Sequence, residues 1–221
     1  MKVLVIGASR GLGRELVRQF IADGAQVTAT ARSDDGVAAL KAMGAEAFAL
    51  DVNDAASASG IAWRCDNAGF DQVWLVAGVY GPQTQGLQTP TVEDFDAVMH
   101  TNVLGAMRVL PQLADALAPG ARVAVLSSRM GSIGLRTASA GWLYRASKAA
   151  LNSVLKDVSL AWAGRATCVA LHPGWVQTDM GGAQADLTPE KSAADLRRTV
   201  GALTPSDNGG FFNHDGTPLA W

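Results

Sequence analysis

Tyr144 and Lys148 are the residues whose type and spacing best suit proton transfer. They fall in Gly141-Trp142-Leu143-Tyr144-Arg145-Ala146-Ser147-Lys148, which reads as the opening turns of a helix. A separation of four places both side chains on one helix face, one turn apart. Leu151, Val154, Leu155 and Val158 continue the helical period and supply a buried stripe. A lysine ammonium beside a phenol favours the phenolate, so the spacing predicts a tyrosine that exchanges its proton nearer neutral pH than a free one. The same pair also occurs on helices where both groups are simply solvated, so the surrounding elements decide its meaning.

Those elements alternate between strands and helices. Lys2 to Ile6 is a short apolar run ending in glycine, as a buried parallel strand does. Gly7-Ala8-Ser9-Arg10-Gly11-Leu12-Gly13 follows, and Leu16, Val17, Phe20 and Ile21 then repeat at helical spacing until Asp23-Gly24. A strand, a glycine loop and a helix form the context in which glycines let backbone approach a pyrophosphate, with free amides at the helix start. The spacing is Gly-x3-Gly-x-Gly. A tight turn without a ligand is the alternative, and a dinucleotide is favoured.

The next strand, Gln26 to Ala31, ends in Arg32 rather than an acid. An acid there would hold a ribose 2′-hydroxyl, whereas Arg32 with Arg10 can clamp a 2′-phosphate. Asp34 and Asp35 fall one step further, on the first turn of the following helix, where acids cap well. This favours NADP(H) while leaving NAD(H) open. Glu46 to Leu50 is a third strand, closed by Asp51-Val52-Asn53-Asp54, whose acids suit either an adenine contact or a helix cap.

Asp71 to Val76 is a fourth strand leading into the small residues Ala77-Gly78. Thr91-Val92-Glu93-Asp94 opens a long helix with a capping-box pattern, and Asn102 lies inside it beside Gly105. A mid-helix asparagine is locally unfavourable and suggests either a kink or a specific task. Arg122 to Ser127 is a fifth strand ending at Ser128, Thr167 to Leu171 a sixth, and Gly210 to Asn213 a last one. His172-Pro173-Gly174-Trp175-Val176-Gln177-Thr178-Asp179-Met180 follows the sixth strand and suits a flap. In an open parallel sheet, ligands bind beyond the carboxyl ends of strands, so all these segments point to one edge.

The bulk properties narrow the field. The 221 residues fit one domain, and a formal net charge of −2 argues against nucleic acid or anionic membrane as partners. Cys65 and Cys168 have no metal-ligand spacing, so no metal site is expected, and two reduced thiols in a cytoplasmic protein are preferred to a disulfide. The apolar run after Lys2 is too short for a signal peptide or a membrane span. His100, His172 and His214 are expected to be structural, and Trp63, Trp74 and Trp162 to be core, with Trp142 and Trp175 divided between pocket and core. The apolar tail ending in Trp221 is expected to pack on the core or on a second subunit.

Taken together, Gly7-x3-Gly11-x-Gly13, Asp51-Val52, Asn102, Ser128, Tyr144-x3-Lys148 and Pro173-Gly174 with Thr178 resemble the short-chain dehydrogenase/reductase family over nearly the whole chain. The stretches 172–182 and 211–221 look most like its compact branch of C-factor-like proteins and carbonyl reductases. One departure stands out. The family usually shows Asn-Asn-Ala-Gly where this chain has Leu75-Val76-Ala77-Gly78, and Asn67-Ala68-Gly69 is a decoy ahead of the strand.

The resemblance implies a single-domain α/β Rossmann-type fold over residues 1–221: a doubly wound parallel sheet of about seven strands with helices on both faces. It implies an NADP(H)-dependent oxidoreductase interconverting a small-molecule carbonyl and an alcohol. Tyr144 would be the acid/base, Lys148 its partner and a ribose ligand, Ser128 the group orienting substrate oxygen, and Asn102 the holder of a relay water. Cofactor contacts would come from Gly7, Ser9, Arg10, Gly11, Leu12, Gly13, Arg32, Asp51, Val52, Ala77, Gly78, Tyr144, Lys148, Pro173, Gly174, Val176 and Thr178, the last at the carboxamide. A homodimer or homotetramer is expected, paired through the helices bearing Asn102 and Tyr144. The rival reading is a cofactor-binding regulator or signalling protein that uses the fold as a redox sensor.

Overall fold

The computed structural model describes residues 1–84 and 86–221. Its sheet has seven parallel strands in the order β3-β2-β1-β4-β5-β6-β7. They are β1 (Lys2–Ile6), β2 (Gln26–Ala31), β3 (Glu46–Ala49), β4 (Phe70–Leu75), β5 (Leu117–Leu126), β6 (Ala166–His172) and β7 (Phe211–Asn213). The strand order reverses between β1 and β4, which opens the crevice that receives ligands in sheets of this kind. The sheet and its class are as the sequence leads one to expect, with strand ends differing by a residue or two. β5 is the exception and begins at Leu117, because its pairing with β4 shifts register between Phe70 and Gln72.

Alternation along the strands divides the core between two faces. On β1, Val3 and Val5 face one layer while Leu4 and Ile6 face the other. The first layer packs Val3, Val5 and Trp74 against Leu16, Val17 and Phe20 of α1 (Gly11–Ala22) and Leu196 and Val200 of α8 (Pro189–Ala202). The helix α2 (Asp34–Ala42) closes that layer through Leu40. The second packs Leu4, Ile6, Val123 and Cys168 against Val103, Val109, Leu151 and Leu155. Each fully buried Leu or Val there contributes roughly 1.5–3 kcal/mol relative to exposure.

The second layer is built from α3 (Ala55–Ser59), α4 (Ile61–Arg64), α5 (Val92–Met99), α6 (Gly105–Val109) and α7 (Trp142–Ala161). Local signals set the helix starts. Thr91 accepts a hydrogen bond from the Asp94 amide, Ser33 from Gly36 and Asp54 from Ala56. Asp34 and Asp35 lie on the first turn of α2. The long helix expected around Asn102 is interrupted there, since His100–Leu104 forms a π-helical turn between α5 and α6.

Three side chains differ from expectation, Trp63, His100 and His172. Trp63 is 82% exposed rather than core. Ile61 and Cys65, four apart, take the buried face of that short turn, and Trp63 between them points away. Trp74 and Trp162 are buried as expected. The histidines are not uniformly satisfied: His214 pairs with Asp195 at 3.0 Å, His100 is exposed, and the buried Nδ1 of His172 has no partner. The tail folds back on its own core, with Trp221 stacked on Phe211 at 5.3 Å and its carbonyl accepting from the Gly134 amide. Cys65 and Cys168 are buried and free. Among the described residues, no helix is long and apolar enough to cross a membrane, and no cluster suits a metal ion.

Candidate active site

The site lies where β1, β4, β5 and β6 end. At β1, the Gly7 amide donates to Thr30 Oγ1 and the Ala8 amide to the Thr30 carbonyl, which anchors the glycine loop to β2. A Cβ on Gly7 would fall 2.7 Å from the Ala77 amide nitrogen, and one on Gly13 would fall 2.4 Å from the Gly7 carbonyl oxygen. Only glycines allow this approach of the loop to β4 and of α1 to the loop. Leu12 is buried beneath it, and Ser9 lies beside Gly36, next to the end of β2. No side chain caps α1, and its first turn has no acid, so its amides and dipole are available to an anion.

Arg32 stands exposed at the end of β2, on the same edge. Past β3, one Asp51 carboxylate oxygen accepts from the Asn53 amide, and Val52 is buried against Gly105. The cap reading holds for Asp54, while Asp51 lies at the rim.

Asn102 ties the second layer to the loop after β4. Its Oδ1 accepts from the Val79 amide at 2.8 Å, and its Nδ2 donates to the Val79 carbonyl at 2.8 Å and to Ser147 Oγ at 2.9 Å. The π turn is what points this amide inward, and its side chain is thereby committed to protein partners. The same contacts bring Gly78 against catalytic candidates: a Cβ there would lie 3.2 Å from Asn102 Oδ1 and 3.3 Å from Lys148 Nζ.

Ser128 follows β5. Its hydroxyl accepts from the Met130 amide at 3.1 Å, and it lies near enough to the Tyr144 phenol to favour the phenolate. Tyr144 and Lys148 both lie on the buried face of α7. The Lys148 ammonium sits 5.8 Å from the centre of the Tyr144 ring and donates to the Leu126 carbonyl at 2.9 Å. Gly131 lets the loop after β5 press against the Lys148 backbone, where a Cβ would come within 2.8 Å.

The electrostatics differ from the expectation drawn from spacing. Burial pushes the Tyr144 phenol up to about 12; the nearby Ser128 hydroxyl acts the other way, and Tyr80 adds to the rise. Burial also pulls the Lys148 ammonium down to about 8. Desolvation disfavours both charged forms and is the largest cause of each shift. Tyr144 is thus a neutral phenol, the acid form of the pair.

Beyond β6, Gly174 adopts φ +81°, and a Cβ would meet Leu187 at 2.4 Å. The Pro173 carbonyl accepts from Ser192 Oγ, and the buried Val176 bridges to Leu187. Thr178 returns the chain to the glycine loop, with its methyl 3.3 Å from the position of a Gly11 Cβ. Next to it, Asp179 accepts from Arg10 at 2.8 Å, both side chains being largely exposed. The glycine loop, Ala77-Gly78, Asn102, Ser128, Tyr144, Lys148 and Thr178 therefore form one connected constellation. The spacing alone gave no sign of the Arg10–Asp179 pair, nor of Tyr80 stacked on Tyr144 at 4.5 Å.

Comparison with known proteins places the chain in a family. Residues 1–188 match the short chain dehydrogenase family. The chain is 38% identical over 160 residues to the C-signal of Myxococcus xanthus, covering 71% of this chain and 90% of that one. It is 34% identical to the 1-hydroxy-2-glutathionyl-2-methyl-3-butene dehydrogenase of Rhodococcus sp. (strain AD45), covering 99% of each. The carbonyl reductase of Pseudomonas aeruginosa PAO1, solved in complex with NADP, superposes with a TM-score of 0.84 at 35% identity, covering 100% of this chain and 99% of that one.

Proposed function

This chain belongs to the short chain dehydrogenase family, and we propose that it is an NADP(H)-dependent oxidoreductase interconverting a carbonyl and an alcohol. One observation carries the reading: a buried phenol, beside Ser128 and one turn from Lys148, stands on the sheet edge that the glycine loop occupies.

The glycine loop fits a dinucleotide, because Gly7 and Gly13 clear the backbone and α1 leaves its first amides unfilled. Gly7, Ser9, Gly11, Leu12 and Gly13 would hold the pyrophosphate, with Arg10 and Arg32 at the 2′-phosphate. Asp51 and Val52 would border the adenine, Ala77 and Gly78 the ribose, and Pro173, Gly174, Val176 and Thr178 the nicotinamide. NADP(H) is favoured over NAD(H) by the arginine at the end of β2 and by the NADP held in the similar carbonyl reductase. When bound, the cofactor supplies or accepts the hydride.

The residues of the chain do the rest. Ser128 and Tyr144 position the carbonyl oxygen, and Tyr144 gives it a proton as the hydride arrives at carbon. Lys148 holds ribose hydroxyls, and its charge stabilises the phenolate left on Tyr144. Asn102 fixes the loop at Val79 and, with its side chain committed, would reach a relay water only through its backbone. Buried free thiols favour a cytoplasmic setting. Exposed Phe95, Met107 and Leu160 on the helices bearing Asn102 and Tyr144 support homodimer or homotetramer pairing.

NADPH consumption with a panel of ketones and aldehydes tests the reading. Turnover that falls about 10²–10⁴-fold in Ser128→Ala supports it. The identity to the C-signal favours a second reading, a signalling protein that binds cofactor on the same fold. Tight NADPH binding with no turnover of any carbonyl would favour that one.

A further inference from the structure

A cleft with a volume of about 670 Å³ opens between the segments after β5 and β6 and the tail. This falls within the roughly 300–1,000 Å³ usual for small-molecule sites. Its lining includes Arg129, His172, Trp175, Asp186, His214 and Asp215. Arg129 directly follows Ser128, and Gly174 lines the cleft itself, so the cleft borders two segments of the candidate site.

Its charged groups sort into two kinds. Asp215 is used by its own turn, accepting from the Thr217 amide at 2.9 Å, and His214 is held by Asp195. Arg129 and Asp186 share the lining, yet neither enters an ion pair among the described residues. Opposite charges kept apart in one cleft are complementary to a ligand that carries both signs. The Trp175 indole, half exposed, offers an apolar wall. Burial holds His172 down to about 4, so it adds no third charge at neutral pH.

We infer that this cleft is a substrate subsite for an α-amino-acid head group, with Arg129 taking the carboxylate and Asp186 the ammonium. The inference rests on the carbonyl-reductase reading and specifies its substrate class: an aldehyde or ketone joined through an apolar spacer to a zwitterion. A guanidinium suits a carboxylate through two parallel N–H donors, and Trp175 covers the spacer.

Four ketones of one core test it: 4-acetylphenylalanine, 3-(4-acetylphenyl)propanoate, 2-(4-acetylphenyl)ethylamine and 4-ethylacetophenone. The zwitterion should exceed the neutral ketone in kcat/KM by at least tenfold, with each single charge in between. Arg129→Met should erase the advantage of the carboxylate and Asp186→Asn that of the ammonium, while Arg129→Lys keeps part of the first. Equal kcat/KM for all four, or preferences that survive both substitutions, would overturn the subsite. Calorimetry with phenylalanine on the NADPH-loaded protein separates this from failure of the enzymatic reading. Binding that Arg129→Met abolishes, with no ketone turned over, supports the subsite and counts against the oxidoreductase. No binding and no turnover would overturn the subsite.

Discussion

Tyr80 lies stacked on Tyr144, with ring centres 4.5 Å apart and planes 25° from parallel. The stack depends on Gly141, whose Cβ would fall 2.5 Å from the Tyr80 hydroxyl and whose φ is +66°. Gly141 also starts α7, the helix that carries Tyr144. Gly141→Ala should therefore cost about 1–3 kcal/mol through the strained backbone, and should dislodge Tyr80. Denaturant unfolding checks the first effect and turnover the second, with kcat expected to fall more than NADPH affinity.

Lys148 gives a pH signature. Its folded pKa of about 8 lies below the ordinary 10.5. Between those values the unfolded chain holds a proton that the folded chain lacks, so stability gained from this residue rises with pH across that window. Below about pH 8 both states are charged and the cost of burying the ammonium is felt in full. The difference in unfolding free energy between Lys148→Met and the parent should be largest near pH 7 and shrink towards pH 10.5. A difference that stays constant would contradict the burial effect.

Asn102 makes three bonds inside the fold, two to Val79 and one to Ser147. Asn102→Ala leaves the Val79 amide and carbonyl without these partners and should destabilise the fold by about 2–4 kcal/mol. Asn102→Asp keeps the acceptor but loses both donations, and should fall between. Chemical denaturation reads both.

Cofactor choice rests on two arginines. Arg10 is engaged by Asp179, so a 2′-phosphate would compete with that carboxylate. Asp179→Asn should tighten NADPH several-fold and leave NADH nearly unchanged. Arg32→Glu should reverse the order, weakening NADPH at least tenfold and favouring NADH. Fluorescence titration with both nucleotides measures each effect.

The sheet was legible because buried parallel strands read as short apolar runs, as Val3 to Ile6 of β1 and Cys168 to Leu171 of β6 do. The site was legible as a set of chain positions, since the strand ends bring Gly7, Ala77, Ser128 and Thr178 to one edge whatever their distance in sequence. Burial was not. Trp63 reads as core by residue type, yet a four-residue helix gives no period from which to orient it. The Tyr144–Lys148 spacing predicts a lowered phenol pKa, but desolvation is a property of everything packed around the pair. The Arg10–Asp179 pair spans 169 residues and joins two loops, for which no local pattern exists. The π turn at Asn102 is an intermediate case, where the misfit of asparagine in a helix marked the place without specifying the geometry.

The proton donor itself is the most direct test. Tyr144→Phe keeps the ring, its stacking on Tyr80 and the packing of α7, and removes only the hydroxyl beside Ser128. With 4-ethylacetophenone and NADPH, the variant should bind NADPH as the parent does and lose turnover by a factor on the order of 10²–10⁴. Turnover within a few-fold of the parent, with NADPH binding intact, would contradict Tyr144 as the acid of the reaction.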